Sequence, residues 1–143
     1  MQLQELRKLF PKVTSTNYRL TSPVDRRYNC IAWAAGVNDV WWEPDPFFQF
    51  YWPLGVERSY SIACYMRAYG TLGFTPCDSP SRDPNFQKVA LYAANNVPTH
   101  AARQTQDGWW ASKLGPNVDI EHELAALDGG EYGRVVTILR KPT

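Results

Sequence analysis

Cys30 and His100 are the two residues of this chain whose types and settings could do chemistry together. Cys30 opens the run Cys30-Ile31-Ala32-Trp33-Ala34-Ala35, whose small and aromatic residues predict a buried helix stopped by Gly36. Asn29 stands at the N-cap position, where its side-chain oxygen can accept from a first-turn N–H. A thiol at that position is favoured as the thiolate, because unpaired N–H groups at a helix start carry partial positive charge. His100 lies in a segment, Thr99 to Thr105, that reads as a strand. A histidine beside the helix would hold the thiolate as an ion pair and later protonate a leaving amine. The chemistry would be cleavage of an amide through an acyl-enzyme on Cys30, cleared by water. A thiol acyltransferase would use the same residues with another acceptor. The competing reading of Cys30 is a small buried apolar residue, which free cysteine often is.

The elements that must position this pair follow from periodicity and turn chemistry. Leu3, Leu6, Leu9 and Phe10 share one face of a short helix stopped by Pro11. Residues 11–29 are polar and turn-rich, with Thr21-Ser22-Pro23 as the clearest turn signal. Residues 41–53 interleave Trp41, Trp42, Phe47, Phe48, Phe50, Tyr51 and Trp52 with three prolines, which predicts an ordered loop packed by its own aromatics. Residues 57–70 predict an amphipathic helix, with Ile62, Tyr65, Met66 and Tyr69 on one side. A proline-rich loop covers 75–85, and three strands follow over 87–93, 99–105 and 109–114. Asp107-Gly108 between the last two suits a primed hairpin turn. Residues 117–127 predict a helix that buries Ile120, Leu124 and Leu127, and 132–139 a final strand. Helices first and then a mostly antiparallel sheet make the class α+β, in a single domain over 1–143.

The approach to Cys30 resembles the approach to the nucleophile in NlpC-type cell-wall peptidases. Asn17-Tyr18, the Thr21-Ser22-Pro23 turn and Tyr28-Asn29-Cys30 match that family's upstream tyrosine, Ser/Thr-Pro turn and aromatic-Asp-Cys. Tyr18 stands twelve residues before Cys30, and Asn29 replaces the usual aspartate. The histidine strand, the Asp107-Gly108 hairpin and the strand from Trp109 repeat the family's order. The chain also resembles a bacterial family with a Tyr-Asn-Cys-Ile-Ala-Trp-Ala motif, a Thr-His-Ala-Ala-Arg strand and a Trp-x-Ser-Lys-Leu-Gly strand. The resemblance implies a papain-like (NlpC-type) domain, with N-terminal helices packed on a small, mostly antiparallel sheet. It implies a peptide or protein substrate, a cell-wall peptide or a side-chain amide. It also implies an orienting residue for His100, which falls on Ser112. Tyr18 either donates to the oxyanion beside the Cys30 N–H or packs beneath a loop, and Asn29 counts with it among the oxyanion- and substrate-binding candidates. Two departures stand out: Ile31-Ala32 replaces the Ser-Gly after the nucleophile, and serine replaces the histidine, asparagine or acid at the third position. These departures favour a second function, an inactive domain that binds a partner protein through the aromatic segment 41–53.

His122 would lie about 160° around its proposed helix from both Ile120 and Leu124. It is either an exposed helical histidine or a residue that reaches the cleft as third member or substrate binder, with Asp119 and Glu121 as further candidates. Arg103 and Lys113 are expected to point outward from their strands, with binding of a substrate carboxylate as the alternative. Cys64 and Cys77 read as structural, able to pair only if the chain is exported.

Bulk properties narrow the field. With 15 basic and 14 acidic residues the net charge is +1, so no long-range field favours nucleic acid or anionic lipid. No apolar run approaches the roughly 20 residues of a membrane span. Three cysteines without a CxxC spacing and two histidines make a poor metal set, and no cofactor motif is present. The cysteine usage suits a reducing compartment, hence a cytoplasmic protein or one exported without a cleavable signal.

Overall fold

Val89, Ala90, Leu91 and Tyr92 lie consecutively in one strand and are all buried, so apolar layers cover both faces of the sheet they occupy. A computed structural model describes residues 2–22, 27–114 and 118–143. The elements are α1 (Leu3–Leu9), β1 (Tyr18–Ser22), α2 (Cys30–Ala34), α3 (Ile62–Gly70), β2 (Thr75–Cys77), β3 (Phe86–Ala94), β4 (Val97–Gln104), β5 (Trp110–Lys113), β6 (Asp119–His122), a 3-10 turn (Leu124–Leu127) and β7 (Arg134–Pro142). The strands form one antiparallel sheet in the order β1-β6-β5-β4-β3-β7-β2.

Strand alternation sends successive side chains into two different cores. Val89, Leu91, Ala101 and Leu139 join α2, α3 and the aromatic segment in the first. Ala90, Tyr92, Ala102, Trp110 and Ile120 join Leu6, Phe10 and Leu127 in the second. The short helices therefore divide between the two faces of a seven-stranded sheet. This overturns the papain-like (NlpC-type) arrangement of N-terminal helices on a small sheet: the sheet dominates, and the helices span only seven, five and nine residues.

Three segments account for the difference. Tyr18–Ser22, expected as a turn, extends as β1 along β6; Pro23 of that expected turn lies outside the described residues. Thr75–Cys77 pairs with β7 at the sheet edge, where Pro76 has no ladder N–H to supply. The helix expected over 117–127 is instead β6 followed by the 3-10 turn, with Asn117 outside the described residues. Apolar residues at 120, 124 and 127 fit either pattern, and pairing with both β1 and β5 decides in favour of the strand.

Turn chemistry also differs from expectation. Asn95 and Asn96 both have positive φ, 52° and 64°, so the primed two-residue turn joins β3 to β4. At Asp107-Gly108 only Gly108 is left-handed (φ 91°), and the Thr105–Trp109 pairing closes a three-residue loop. A bulge in β4 sets Tyr92 opposite His100 but Ala93 opposite Pro98, leaving Thr99 as the extra residue. Gly133 (φ 77°) passes so close to Ala93 that a Cβ would meet its carbonyl oxygen at 2.2 Å. Among the described residues no helix is long and apolar enough to cross a membrane.

Candidate functional site

Asn29 fixes the start of α2 and ties it to the aromatic segment. Its Oδ1 accepts from the Ala32 N–H (3.2 Å) and the Trp42 N–H (3.0 Å), while its Nδ2 donates to the Trp42 carbonyl (2.6 Å). The side chain is buried and fully engaged, so Asn29 builds the wall of the site rather than facing a substrate. Beside it, Cys30 is 8% exposed and lines a cavity of about 240 Å³ with Trp42, Tyr65, Thr99 and Tyr132. Its sulfur faces β4, where the Ala101 N–H favours the thiolate, as do the N–H groups of Ile31 and Cys30 itself. Burial outweighs these donors and pushes the thiol up to about 11. The resting sulfur is therefore a neutral thiol and not the expected thiolate. A helix of five residues aligns too few peptide dipoles to offset that desolvation.

A buried polar chain crosses three strands on the opposite face of the sheet. His100 Nε2 lies 2.8 Å from Ser112 Oγ, Ser112 Oγ lies 2.7 Å from His122 Nε2, and His122 Nδ1 lies 2.7 Å from the Glu123 carbonyl oxygen. Hydrogen-bond logic gives this chain a direction. A carbonyl only accepts, so His122 Nδ1 carries a proton and its Nε2, in the neutral ring, is bare. Ser112 must then donate to His122 and accept from His100, which places the His100 proton on Nε2. His100 Nδ1 is left as a bare lone pair, buried and without a hydrogen-bond partner. Burial holds both rings neutral. It lowers His122 to about 4 against the helpful Glu123 carbonyl, and it lowers His100 well below the usual range, with His122 adding to the effect.

The structure thus joins His100, Ser112 and His122, and sets Cys30 apart from them by one turn of strand alternation. Ala101 faces α2, while His100 points to the other face beside Tyr92 (ring centroids 5.3 Å apart). No hydrogen bond joins the Cys30 thiol to His100. The residue common to both is Tyr132: it lines the Cys30 cavity, and its ring stacks flat on His100 at 4.1 Å. The Thr99 hydroxyl, donated to the Tyr132 carbonyl at 2.5 Å, holds it there. Tyr18 stands in register with His122 and packs into the second core, on the face away from Cys30. His122 is neither helical nor exposed, since β6 pairing turns it inward next to Ser112.

Other residues also depart from expectation. Lys113 is fully buried, 3.7 Å from Asp119 and 4.6 Å from the centre of the Tyr28 ring, and its charge works to lower the Cys30 pKa. Arg103 is half-buried over the Trp33 ring at 4.2 Å. Glu121 pairs at the surface with Arg19. Sequence reasoning missed Tyr132; its only signal is an aromatic residue set between Gly130 and Gly133.

Residues 19–140 match the family model described as a domain of unknown function, DUF7689. The chain belongs to that family. No curated protein and no solved structure matches it. The family match takes in Cys30, His100, Ser112, His122 and Tyr132, and begins one residue after Tyr18. Among the described residues, no group of three or more His, Cys, Asp and Glu side chains is placed to hold a metal ion.

Proposed function

We propose that this DUF7689 domain is a thiol hydrolase that acts on amides through Cys30. The observation that supports it is the direction of the His100–Ser112–His122 chain, which leaves His100 Nδ1 bare. Buried histidine nitrogens are mostly hydrogen-bonded, because an unmade bond inside a protein costs about 1–3 kcal/mol. A general base needs one nitrogen anchored and the other open. The neutral thiol makes this a general-base mechanism rather than a preformed ion pair. His100 Nδ1 takes the Cys30 proton as the sulfur attacks the substrate carbonyl carbon. The same proton passes to the amine as the C–N bond breaks, and water cleaves the resulting thioester to restore the thiol. Catalytic hydrogen bonds often close only in the substrate complex, and here Tyr132 would have to yield for the two residues to meet.

The test is the pH dependence of Cys30 alkylation, read by peptide mass spectrometry, together with trapping of an acyl adduct from an activated ester. Cys30 should alkylate well below its own titration near 11. His100→Ala should slow it by about 10²-fold or more, the scale of general-base assistance. A Cys30 that reacts only as its own thiolate forms, equally with and without His100, and that yields no acyl adduct, sinks the proposal.

A different observation favours a second reading, a protein-binding surface on the aromatic segment. Phe47, Phe48 and Leu54 are 80%, 75% and 98% exposed. They stand on a rigid base, where Asp45 accepts from the Gln49 and Phe50 N–H groups and pairs with Arg58 at 3.0 Å. Apolar side chains held out in water by a well-bonded loop suit contact with a partner. A photo-crosslinking residue at Phe47 should capture one defined protein that the same residue at Val136, also exposed, does not. Equal capture at the two positions counts against this reading.

A further inference from the structure

We infer that the Cys30 cavity takes a substrate bearing an ammonium group, and that Glu43 and the surrounding aromatic rings are its recognition elements. The inference deepens the thiol-hydrolase reading by naming a substrate class for the same cavity. Besides Cys30, the cavity is walled by Trp41, Trp42, Tyr60, Tyr65 and Tyr132, with Glu43 as its carboxylate. Glu43 is half-buried, and neutral donors alone hold it in place: the Tyr60 hydroxyl at 2.6 Å and the Trp41 indole N–H at 3.3 Å. Among the described residues no lysine, arginine or histidine pairs with it. The nearby Arg58 is instead committed to Asp45 and to the ring of Phe48.

Neutral donors bring no positive charge to set against a carboxylate, and a partly enclosed site screens an ionic attraction less than bulk water does. Ring faces add to it, since an ammonium over an indole or phenol is attracted by the ring quadrupole, more strongly where water is excluded. An anionic ligand would meet Glu43 repulsively, and a neutral apolar ligand would leave the carboxylate desolvated without a partner. The cation is thus the one class for which both the walls and the charge are favourable. With Cys30 on the same cavity, the geometry points to a lysine side chain or free amine close to the amide that is cleaved.

The probe is N-acetyl-lysinamide, with N-acetyl-norleucinamide as its neutral counterpart, titrated against the full chain by calorimetry and tryptophan fluorescence. The lysine probe should bind at least about tenfold more tightly, the effect of one desolvated charge pair. Glu43→Gln can keep the Tyr60 and Trp41 partners, so it should remove this preference by weakening the lysine probe and not the norleucine one, whose binding should hold or tighten once no carboxylate is desolvated. Equal affinity for the two probes, no detectable binding of the lysine probe, or an unaltered preference in Glu43→Gln overturns the inference. Its failure is separable from that of the hydrolase reading. A lysine preference with an unreactive Cys30 would leave the cavity assignment standing and remove the chemistry, and an acylated Cys30 with no preference would do the reverse.

Discussion

Ser112 shows how much can depend on one hydroxyl. Its single proton goes to His122, whose tautomer the Glu123 carbonyl fixes, its lone pair fixes the tautomer of His100, and no apolar residue can replace either role. Ser112→Ala leaves the His100 N–H and the His122 lone pair without partners, so it should cost roughly 2–4 kcal/mol in urea unfolding near neutral pH. The same chain makes stability depend on pH. Unfolded histidine titrates near 6.5, whereas His122 in the fold stays neutral down to about 4. Its contribution is complete above the unfolded value. It drains away as pH falls, because the unfolded chain takes up a proton that the folded chain refuses. By pH 4 the loss from His122 alone should be about 3 kcal/mol, and His100 shifts in the same direction. Asp107, held at about 2 by the Thr105 hydroxyl and Arg19, loses its contribution only at more acid pH, so the two windows separate. Unfolding free energies that stay level from neutral pH down to about pH 4 would contradict this account. At this scale the types and spacing of Cys30, His100 and Ser112 were legible in the sequence. The protonation state of the thiol was not, because burial decided it and burial belongs to the packed fold.

At the scale of elements, Asn29 links α2 to the aromatic segment, and its two halves can be separated by substitution. Asn29→Asp keeps the acceptor for the Ala32 and Trp42 N–H groups and loses only the donor to the Trp42 carbonyl. Asn29→Ala loses all three bonds, the helix cap among them, at about 2–4 kcal/mol. Thermal unfolding should therefore rank the parent above Asn29→Asp, and Asn29→Asp above Asn29→Ala. An aspartate variant as unstable as the alanine one would show that the Trp42 carbonyl bond carries the element. The cap, the stop at Gly36 and the helix between them could be read directly, because Asn, the small residues and Gly each act locally. β1 and β6 could not be read in this way. Tyr18–Ser22 and Asp119–His122 carry weak local patterns and are strands because each completes the other's ladder. The 117–127 expectation failed for that reason, and with it the orientation of His122.

Taken whole, the molecule is two cores on one sheet, and the site depends on both. Cys30 and its cavity belong to the first core, and His100, Ser112 and His122 line the second. β3 feeds both, with Val89 and Leu91 on one face and Ala90 and Tyr92 on the other, and it is hydrogen-bonded to β4 and β7 along nearly its full length. Neither face can lose its packing without exposing the backs of the same strands, so the two should unfold together. Native signals on each face can test this. Trp42 and Trp52 lie in the first core and Trp110 in the second, and the His100 and His122 imidazole resonances report the second alone. Urea transitions followed by fluorescence of variants that keep tryptophans on only one face, and by the imidazole resonances, should share one midpoint. An earlier transition on the α2 face would mean that the aromatic layer opens by itself. That outcome would also bear on the chemistry, because a layer that opens independently would uncover the Cys30 cavity to a substrate while Tyr132 and the His100–Ser112–His122 chain stay packed in the second core.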